Sequence, residues 1–260
     1  MTKSVLTVVG CALLWAATAV ATPPTPQEKC DKTRVTAWKA YVSCVDTVVA
    51  KEASCVPTVS CPANFNEFTA FAKCRHAYFK KWKAIQGTAF VGSTCAAGLT
   101  NRFTVTDSGA TVTDGLTGLV WELKDNLDNT PNYADPHDAD NYYTWSTGSN
   151  NEDGTAFTTF LTAGLNTPGF AGANGWRLPT LAELQSIVLD FACTSSMCSC
   201  GTRPCIDGTF GPTQADYYWS ATSYVPNPNN ARNVTFFVGD LDHEWGKTST
   251  FPVRAVRGGL

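Results

Sequence analysis

The sequence predicts an α+β protein, in which a disulfide-linked helical hairpin precedes a domain with a mainly antiparallel sheet and two helices. Residues 22–98 are rich in Lys, Ala, Glu and aromatic residues and contain little Gly, which favours helices. From about residue 99 the composition changes to Gly, Thr, Asn, Asp and Trp, with short alternating runs between turn residues. A well-capped helix start lies in this second part, within residues 175–188. The chain therefore divides into a helical part, 22–98, and a mixed part, 99–260.

The first 21 residues have the features of a secretory signal peptide. Lys3 precedes an apolar run over 5–20, and Ala19-Val20-Ala21 is a small-x-small cleavage site. Thr and Gly interrupt the run, which favours a signal peptide over a membrane anchor. Residues 8–11 are similar to a bacterial lipobox, so lipid anchoring at Cys11 is the alternative. We expect an exported mature chain, periplasmic, cell-surface or secreted, with no transmembrane span.

Removal of the signal peptide leaves ten cysteines, and an even number in an exported protein predicts five disulfides. The last four could instead bind zinc, but their spacing is irregular and no histidine is near. The predicted disulfide cysteines are Cys30, Cys44, Cys55, Cys61, Cys74, Cys95, Cys193, Cys198, Cys200 and Cys205.

Two helices are expected in the helical part, over about 28–51 and 62–86, because apolar residues recur there at helical spacing. A short Pro-containing link joins them, which predicts an antiparallel hairpin. The pairs Cys30–Cys74 and Cys44–Cys61 share nearly the same midpoint, as cross-links between two antiparallel helices require, and Cys55–Cys95 would tie the hairpin to the next part. Fifteen connectivities are possible for six cysteines, and this one is the geometric expectation.

The mixed part begins with three predicted strands and continues through a long polar loop. A short helix and further strands follow on either side of the capped helix. The expected strands are 103–106, 111–114, 119–122, 142–145, 217–224, 233–238 and 253–256, the short helix is 156–165, and a turn is expected at 239–240.

The segment at the centre of the mixed part runs from Trp176 through the capped helix. Pro179 forces the preceding residues into an extended conformation, and Thr180 with Glu183 forms a capping box. The residues Leu181, Leu184, Ile187, Val188 and Phe191 recur at helical spacing and predict a buried face. Arg177 is expected to be buried and therefore paired, with Asp114 or Asp190 as its partner, and ligand binding is the alternative.

Four motifs in order carry a resemblance to a known family. They are Thr111 to Trp121, Gly175 to Leu184, Tyr218 to Thr222 and Val253 to Arg257. Together they resemble the bacterial domain named after the C-terminal domain of the Legionella collagen-like protein, over residues 102–259. The start of the capped helix is also similar to the formylglycine-generating-enzyme superfamily. The resemblance implies a C-type-lectin-like fold for this part, and a binding role, since the named adhesin binds sulfated glycosaminoglycans.

A polar loop over 125–141 concentrates carboxylates, and calcium prefers oxygen ligands of this kind. Its spacing differs from the EF-hand pattern, and a solvated acidic loop is the alternative. Calcium is therefore the cofactor that these residues favour. His137 and His243, which lie beside carboxylates in the sequence, give a weaker indication of a transition metal. The candidate calcium ligands are Asp125, Asp128, Asp135, Asp138 and Asp140.

Charge distinguishes between ligands. Residues 99–260 contain eight Lys and Arg against seventeen Asp and Glu, a net charge of −9, whereas residues 22–98 carry a net charge of +5. Sulfated polymers require a basic surface, so the mixed part is a poor candidate for them. A polyanion would bind the helical part, at Lys73, Arg75, Lys80, Lys81 and Lys83, unless that face is only solvated.

We therefore expect a non-catalytic binding or adhesion module for carbohydrate or another envelope or extracellular component. No Gly-x-Ser-x-Gly nucleophile motif or phosphate-binding loop is present, and nucleic acid is not an expected partner. An envelope enzyme on the same scaffold and a purely structural surface protein are the alternatives. Aromatic residues of the mixed part would stack on sugars unless they form the core. The candidate ligand-binding residues are Tyr142, Tyr143, Trp145, Asp240, Asp242 and Trp245.

Overall fold

The computed structural model describes residues 23–53, 67–85, 102–189, 200, 203–237, 239 and 243–259. Several predictions lie outside these ranges, namely the signal peptide, the turn at 239–240, and the residues Cys55, Cys61, Cys95, Asp190, Phe191, Cys193, Cys198, Asp240 and Asp242.

Two helices form the predicted hairpin, α1 (Pro26–Ala53) and α2 (Glu67–Ile85). Helix α1 begins two residues earlier than predicted because Thr25 and Glu28 form a reciprocal capping box, with Pro26 in the first turn. The two helices are antiparallel, since Trp38 packs against Tyr78 at 5.8 Å between ring centroids while the later Cys44 bonds the earlier Cys74. The helical hairpin is confirmed.

The cross-link between these helices differs from the prediction. Cys44 is bonded to Cys74, so the predicted pairs Cys30–Cys74 and Cys44–Cys61 are wrong. The midpoint of the observed pair is residue 59, whereas the predicted pairs assumed a hairpin centred near residue 52. The turn between the helices is therefore centred later than the spacing of the cysteines indicated. Cys30 is itself disulfide-bonded and fully buried.

Three antiparallel sheets make up the mixed part. The first has the order β1-β2-β3-β9, the second pairs β4 with β8, and the third has the order β5-β6-β7. The strands are β1 (Phe103–Thr106), β2 (Thr111–Asp114), β3 (Leu119–Glu122), β4 (Tyr143–Thr144), β5 (Tyr217–Ser223), β6 (Asn230–Thr235), β7 (His243–Gly246), β8 (Thr250–Phe251) and β9 (Val256–Gly258). Pairing of β9 with β3 brings the end of the chain back to its first sheet.

Two strands differ in position from the prediction, and two were not predicted. Strand β6 begins at Asn230 rather than at residue 233, and β9 begins at Val256 rather than at residue 253. The residues Val253 and Ala255 are fully buried, which accounts for the apolar run that suggested a strand there. Strands β7 and β8 have four and two residues, so they are too short to show the alternating apolar pattern of a predictable strand.

Both helices predicted for the mixed part are present in its described residues, beside three short 3-10 helices, Asp107–Gly109, Phe170–Gly172 and Gly208–Phe210. The first, Ala156–Asn166, is a π-helix, and its five-residue hydrogen-bond spacing continues to the amide of Thr167, which donates to the carbonyl of Thr162 at 2.9 Å. The second is α3 (Leu181–Ser186). It is shorter than the apolar spacing predicted, and the Ser186 hydroxyl donates to the carbonyl of Glu183 in its last turn.

The capping box of α3 is confirmed, and Arg177 forms an ion pair as predicted, but its side chain is less buried than expected and its partner is Glu183. The hydroxyl of Thr180 accepts from the amide of Glu183, and the carboxylate of Glu183 accepts from the amide of Thr180 at 2.8 Å. That carboxylate also forms a bidentate pair with Arg177, with both distances 2.7 Å. The side chain of Arg177 is 42% exposed, and the alternative partner Asp114 is paired with Arg102 instead. Trp176 is buried, as expected.

The helical hairpin packs on the mixed part through α3 and β6. The Tyr41 hydroxyl donates to the side chain of Gln185 at 2.9 Å, and Arg232 of β6 pairs with Glu52 of α1. Buried residues of both helices and of the first and third sheets form one apolar cluster, while a second cluster lies around the π-helix and Trp219. Within the described ranges, no helix is long and apolar enough to cross a membrane.

Candidate ligand-binding site

A continuous set of aromatic side chains lies where the second and third sheets meet. The ring of Tyr217 lies 5.9 Å from that of Trp245 and 5.6 Å from that of Phe251, and Trp245 lies 5.7 Å from Phe251. Trp245 is 41% exposed, whereas Tyr217 and Phe251 are half-buried. We call these three residues the aromatic cluster. Its position follows from the strand register, since Tyr217, Trp245 and Phe251 come from β5, β7 and β8.

Two tyrosines and a carboxylate lie next to the start of β5, where Tyr217 contributes its ring to the aromatic cluster. The Tyr142 hydroxyl donates to Asp216 at 2.9 Å, and the other carboxylate oxygen of Asp216 accepts from the amide of Tyr217. Tyr133 is 54% exposed, and its hydroxyl donates to the carbonyl of Tyr142. Burial, together with the hydrogen bond to Asp216 and its negative charge, raises the pKa of Tyr142, so this hydroxyl stays protonated. The surface thus combines ring faces with a fixed carboxylate.

This arrangement suits a ligand with both apolar and hydroxyl-bearing faces. Aromatic rings with one exposed side stack on apolar faces, and an oriented carboxylate accepts hydrogen bonds from hydroxyl groups. Of the predicted ligand-binding residues, Trp245 belongs to the aromatic cluster and Tyr142 is bonded to Asp216. Their role in binding stays a prediction.

Two of the other candidate ligand-binding residues belong to the core, which is the alternative that the sequence left open for them. Tyr143 is 2% exposed and packs against Phe160, with ring centroids 5.2 Å apart. Trp145 is also 2% exposed, its indole N–H donates to the carbonyl of Ser220, and the ammonium of Lys247 lies 3.9 Å from its ring centroid. Both rings pack on the π-helix, Tyr143 against Phe160 and Trp145 against Phe157, with ring centroids 5.1 Å apart in the second pair.

The acidic loop does not bring its five carboxylates together as a calcium site. One oxygen of Asp140 accepts from the amides of Asp128, Asn129 and Thr130, and the other accepts from Gln214 at 2.5 Å. Asp138 accepts from the amide of Asp140, and Asp135 accepts from the amide of His137. The carboxylates of Asp135, Asp138 and Asp140 therefore stabilise the conformation of the loop by accepting hydrogen bonds from its backbone amides. Asp125 is exposed. Among the residues with described positions, no group of three or more His, Cys, Asp or Glu could hold a metal ion.

A buried charge network lies behind the acidic loop, and the sequence did not indicate it. One oxygen of Glu122 contacts the ammonium of Lys124 at 2.8 Å and Nδ1 of His137 at 3.0 Å, and the other accepts from the amide of Ala255. Burial favours a raised pKa for Glu122, but the charge of Lys124 and the contact with His137 outweigh it and lower the pKa. Burial also lowers the pKa of Lys124. Since Glu122 is wholly buried and both oxygens are engaged, this network holds the loop in place.

The basic residues of α2 are divided between surface and core. Lys73, Lys80 and Lys81 are exposed, whereas Arg75 is only 2% exposed and cannot contact a polyanion from outside. The predicted polyanion surface is therefore smaller than expected. Its use in binding stays a prediction.

Sequence reasoning missed Tyr133, Asp216 and Tyr217 as site residues. Tyr217 and Asp216 stand at the start of a predicted strand, where their proximity to Tyr142 depends on a contact between residues 74 positions apart. An exposed tyrosine in the acidic loop was the one signal available for Tyr133.

Comparison with known families agrees with the sequence motifs. The chain matches the family model described as the Lcl C-terminal domain over residues 110–257, more than half of its length. Neither a curated protein nor a solved structure matches it. The matched range contains the capped helix and all the strands of the third sheet, whereas the helical hairpin lies outside it. The chain belongs to the family of the Lcl C-terminal domain.

Proposed function

We propose that this protein is an exported, non-catalytic binding module that recognises carbohydrate through the aromatic cluster. The observation that carries the proposal is the contact of Tyr217 with a substantially exposed Trp245, beside the carboxylate of Asp216. Pyranose rings present apolar faces to aromatic rings, and their hydroxyl groups donate to carboxylates. The family membership supports a binding role, since the adhesin that gives the family its name binds glycans.

The net charge of the mixed part limits the class of glycan that we expect it to bind. A net charge of −9 over residues 99–260 repels sulfated and carboxylated polymers at a distance. Asp216 beside the aromatic cluster adds a local negative charge. The ligand is therefore a neutral glycan rather than the sulfated kind bound by the named adhesin.

Export is supported by cysteine chemistry. The disulfides Cys44–Cys74 and Cys200–Cys205 require an oxidising compartment to form and persist. Together with the predicted signal peptide, they favour the periplasm, the cell surface or the medium.

A glycan array tests the proposal, with and without calcium. We expect the mature protein to bind neutral glycans, and Trp245→Ala to lower the array signal at least tenfold by removing a stacking face. Phe237→Ala is the matched control, because Phe237 is 45% exposed but lies against Arg203, outside the aromatic cluster. Absence of binding to every glycan, in both conditions, would contradict the proposal. An unchanged signal in Trp245→Ala would show that any binding uses another surface.

The enzymatic alternative requires a different arrangement of side chains. A glycoside hydrolase requires two carboxyl groups that face one open cleft. Release of reducing ends from a bound glycan, lost on substitution of Asp216 by Asn but not of Glu122 by Gln, would favour it over the binding module.

A further inference from the structure

Asn233 is a buried amide in the middle of the third sheet. It lies on the central strand β6, opposite Trp219 of β5 and His243 of β7. The residue is 0% exposed, and neither its Nδ2 nor its Oδ1 has a hydrogen-bond partner. An unpaired buried amide costs about 1–3 kcal/mol, and a group of this kind calls for a functional explanation.

The strand register places the aromatic cluster over this amide. Tyr217 pairs with Thr235 and Trp245 pairs with Ala231, and these two residues of β6 lie two positions on either side of Asn233. Side chains two positions apart on a strand share a face, so all three side chains lie on the same side of the sheet. Tyr217 and Trp245 stand on opposite strands and at opposite ends of this arrangement. Since their rings come within 5.9 Å, they must meet above the central strand, where Asn233 lies.

The surroundings of this buried amide are therefore mainly apolar. Trp219, its register partner on β5, packs against Phe251 with ring centroids 5.0 Å apart. Sites of this composition select ligand groups that are mainly apolar and carry a small number of matching polar atoms. A primary amide offers two donors and an acceptor, and a secondary amide offers one of each.

We propose that the aromatic cluster recognises an N-acetylated sugar, and that its acetamido group binds Asn233. The acetamido carbonyl accepts from Nδ2, the acetamido N–H donates to Oδ1, and the methyl group packs against the rings of Trp245 and Phe251. Trp245 stands on the edge strand β7 and is the most exposed ring of the cluster, so its rotation opens the path to Asn233 and leaves its face on the sugar. This inference rests on the carbohydrate-binding function proposed above and names its ligand class.

Two oligosaccharides with the same β-1,4 linkage and length separate the two proposals. Binding of N-acetylglucosamine hexamer and of glucose hexamer is measured by calorimetry for the wild-type protein, Asn233→Leu and Trp245→Ala. We expect the wild type to prefer the acetylated hexamer by at least about tenfold, because two buried hydrogen bonds are gained. Asn233→Leu should reduce this preference to about one while it retains the weaker binding of the glucose hexamer. Trp245→Ala should weaken binding of both.

Several outcomes overturn the inference, and they are distinguishable. Equal binding of both hexamers by the wild type, or an unchanged preference in Asn233→Leu, refutes the role of Asn233 and leaves the carbohydrate-binding function intact. The second of these results, with altered thermal stability, would indicate that Asn233 serves only an ordered water. Failure to bind any glycan refutes both proposals.

A measurement on the wild-type protein covers the case in which Asn233→Leu does not fold. Saturation-transfer NMR with the acetylated hexamer should show the strongest transfer to the acetyl methyl protons. Stronger transfer to the ring protons than to the methyl group would overturn the inference.

Discussion

The guanidinium of Arg232 on β6 forms an ion pair with the carboxylate of Glu52 on α1, although 180 positions separate them in the chain. Arg232 is wholly buried, and the carboxylates of Glu67 and Glu244 lie 3.4 and 3.8 Å from its nitrogens. Burial opposes ionisation of Glu67, but its hydrogen bond with Glu52 and the charge of Arg232 lower its pKa. One guanidinium therefore lies within 4 Å of three carboxylates where the helical hairpin meets the third sheet.

Removal of this cation should destabilise the protein strongly. Arg232→Ala removes the guanidinium that pairs with the buried Glu52, and the loss of one member of a buried pair costs about 3–5 kcal/mol. The free energy of unfolding is measured by urea denaturation. Arg257→Ala is the control, because Arg257 and Asp107 form a partly exposed pair at 3.5 Å, worth about 1 kcal/mol or less. Equal losses in the two variants would show that Arg232 does not hold the hairpin.

The capping box of α3 should have a smaller, measurable effect. Thr180→Ala removes the acceptor for the amide of Glu183, which typically costs about 1 kcal/mol. Thr248→Ala changes an exposed threonine and should leave the urea midpoint unchanged. A shift of the same size in both variants would contradict a role for the cap.

The features that sequence predicts well are those set within a few residues. The cap of α3 joins Thr180 to Glu183, and the three strands before the acidic loop are separated by short turns, so local patterns determine them. The end of α3 was not predicted, since Ile187 and Val188 are buried as expected but lie beyond the last helical turn. The spacing of apolar residues thus predicts which residues are buried, but it does not predict where the helical backbone ends.

The candidate site depends on contacts between distant residues, so its composition was harder to predict from the sequence. Tyr143 and Trp145 are core residues because their rings pack against Phe160 and Phe157 of the π-helix, at least 12 positions later in the chain. Trp245 remains on the surface because β7 is an edge strand. Composition alone could not distinguish the buried aromatic residues from the exposed one. Likewise, the carboxylates of the acidic loop resembled metal ligands, because the sequence does not show that they accept hydrogen bonds from backbone amides.

The connectivity of the helical hairpin can be tested directly. Proteolysis under non-reducing conditions, followed by mass spectrometry, should yield a peptide pair linked through Cys44 and Cys74. The double variant Cys44→Ala/Cys74→Ala should lose about 3 kcal/mol of unfolding free energy, because the bond closes a 30-residue separation in the unfolded chain. A peptide that links Cys30 to Cys74 would instead restore the connectivity expected from spacing.

The buried network around Glu122 predicts how stability depends on pH. The pKa of the Glu122 carboxyl is lower in the folded protein than in the unfolded chain, where a glutamate titrates at about 4.3. The unfolded state therefore binds the proton first, so the stabilisation is present above that value and is lost as pH falls towards the folded pKa. Unfolding free energies measured by urea denaturation from pH 7 down to about pH 3 should fall steeply below about pH 4.5.

Replacement of this carboxylate isolates its share of the acid dependence. Glu122→Gln should cost about 3 kcal/mol at pH 7, because the buried Lys124 loses its counter-charge, and should make the acid slope shallower. Glu152→Gln, at an exposed position, is the control and should retain the wild-type slope. If Glu122→Gln kept the full acid slope, the loss of stability in acid would arise from other carboxylates, such as Glu67 beside Arg232, and the network behind the acidic loop would contribute no pH dependence.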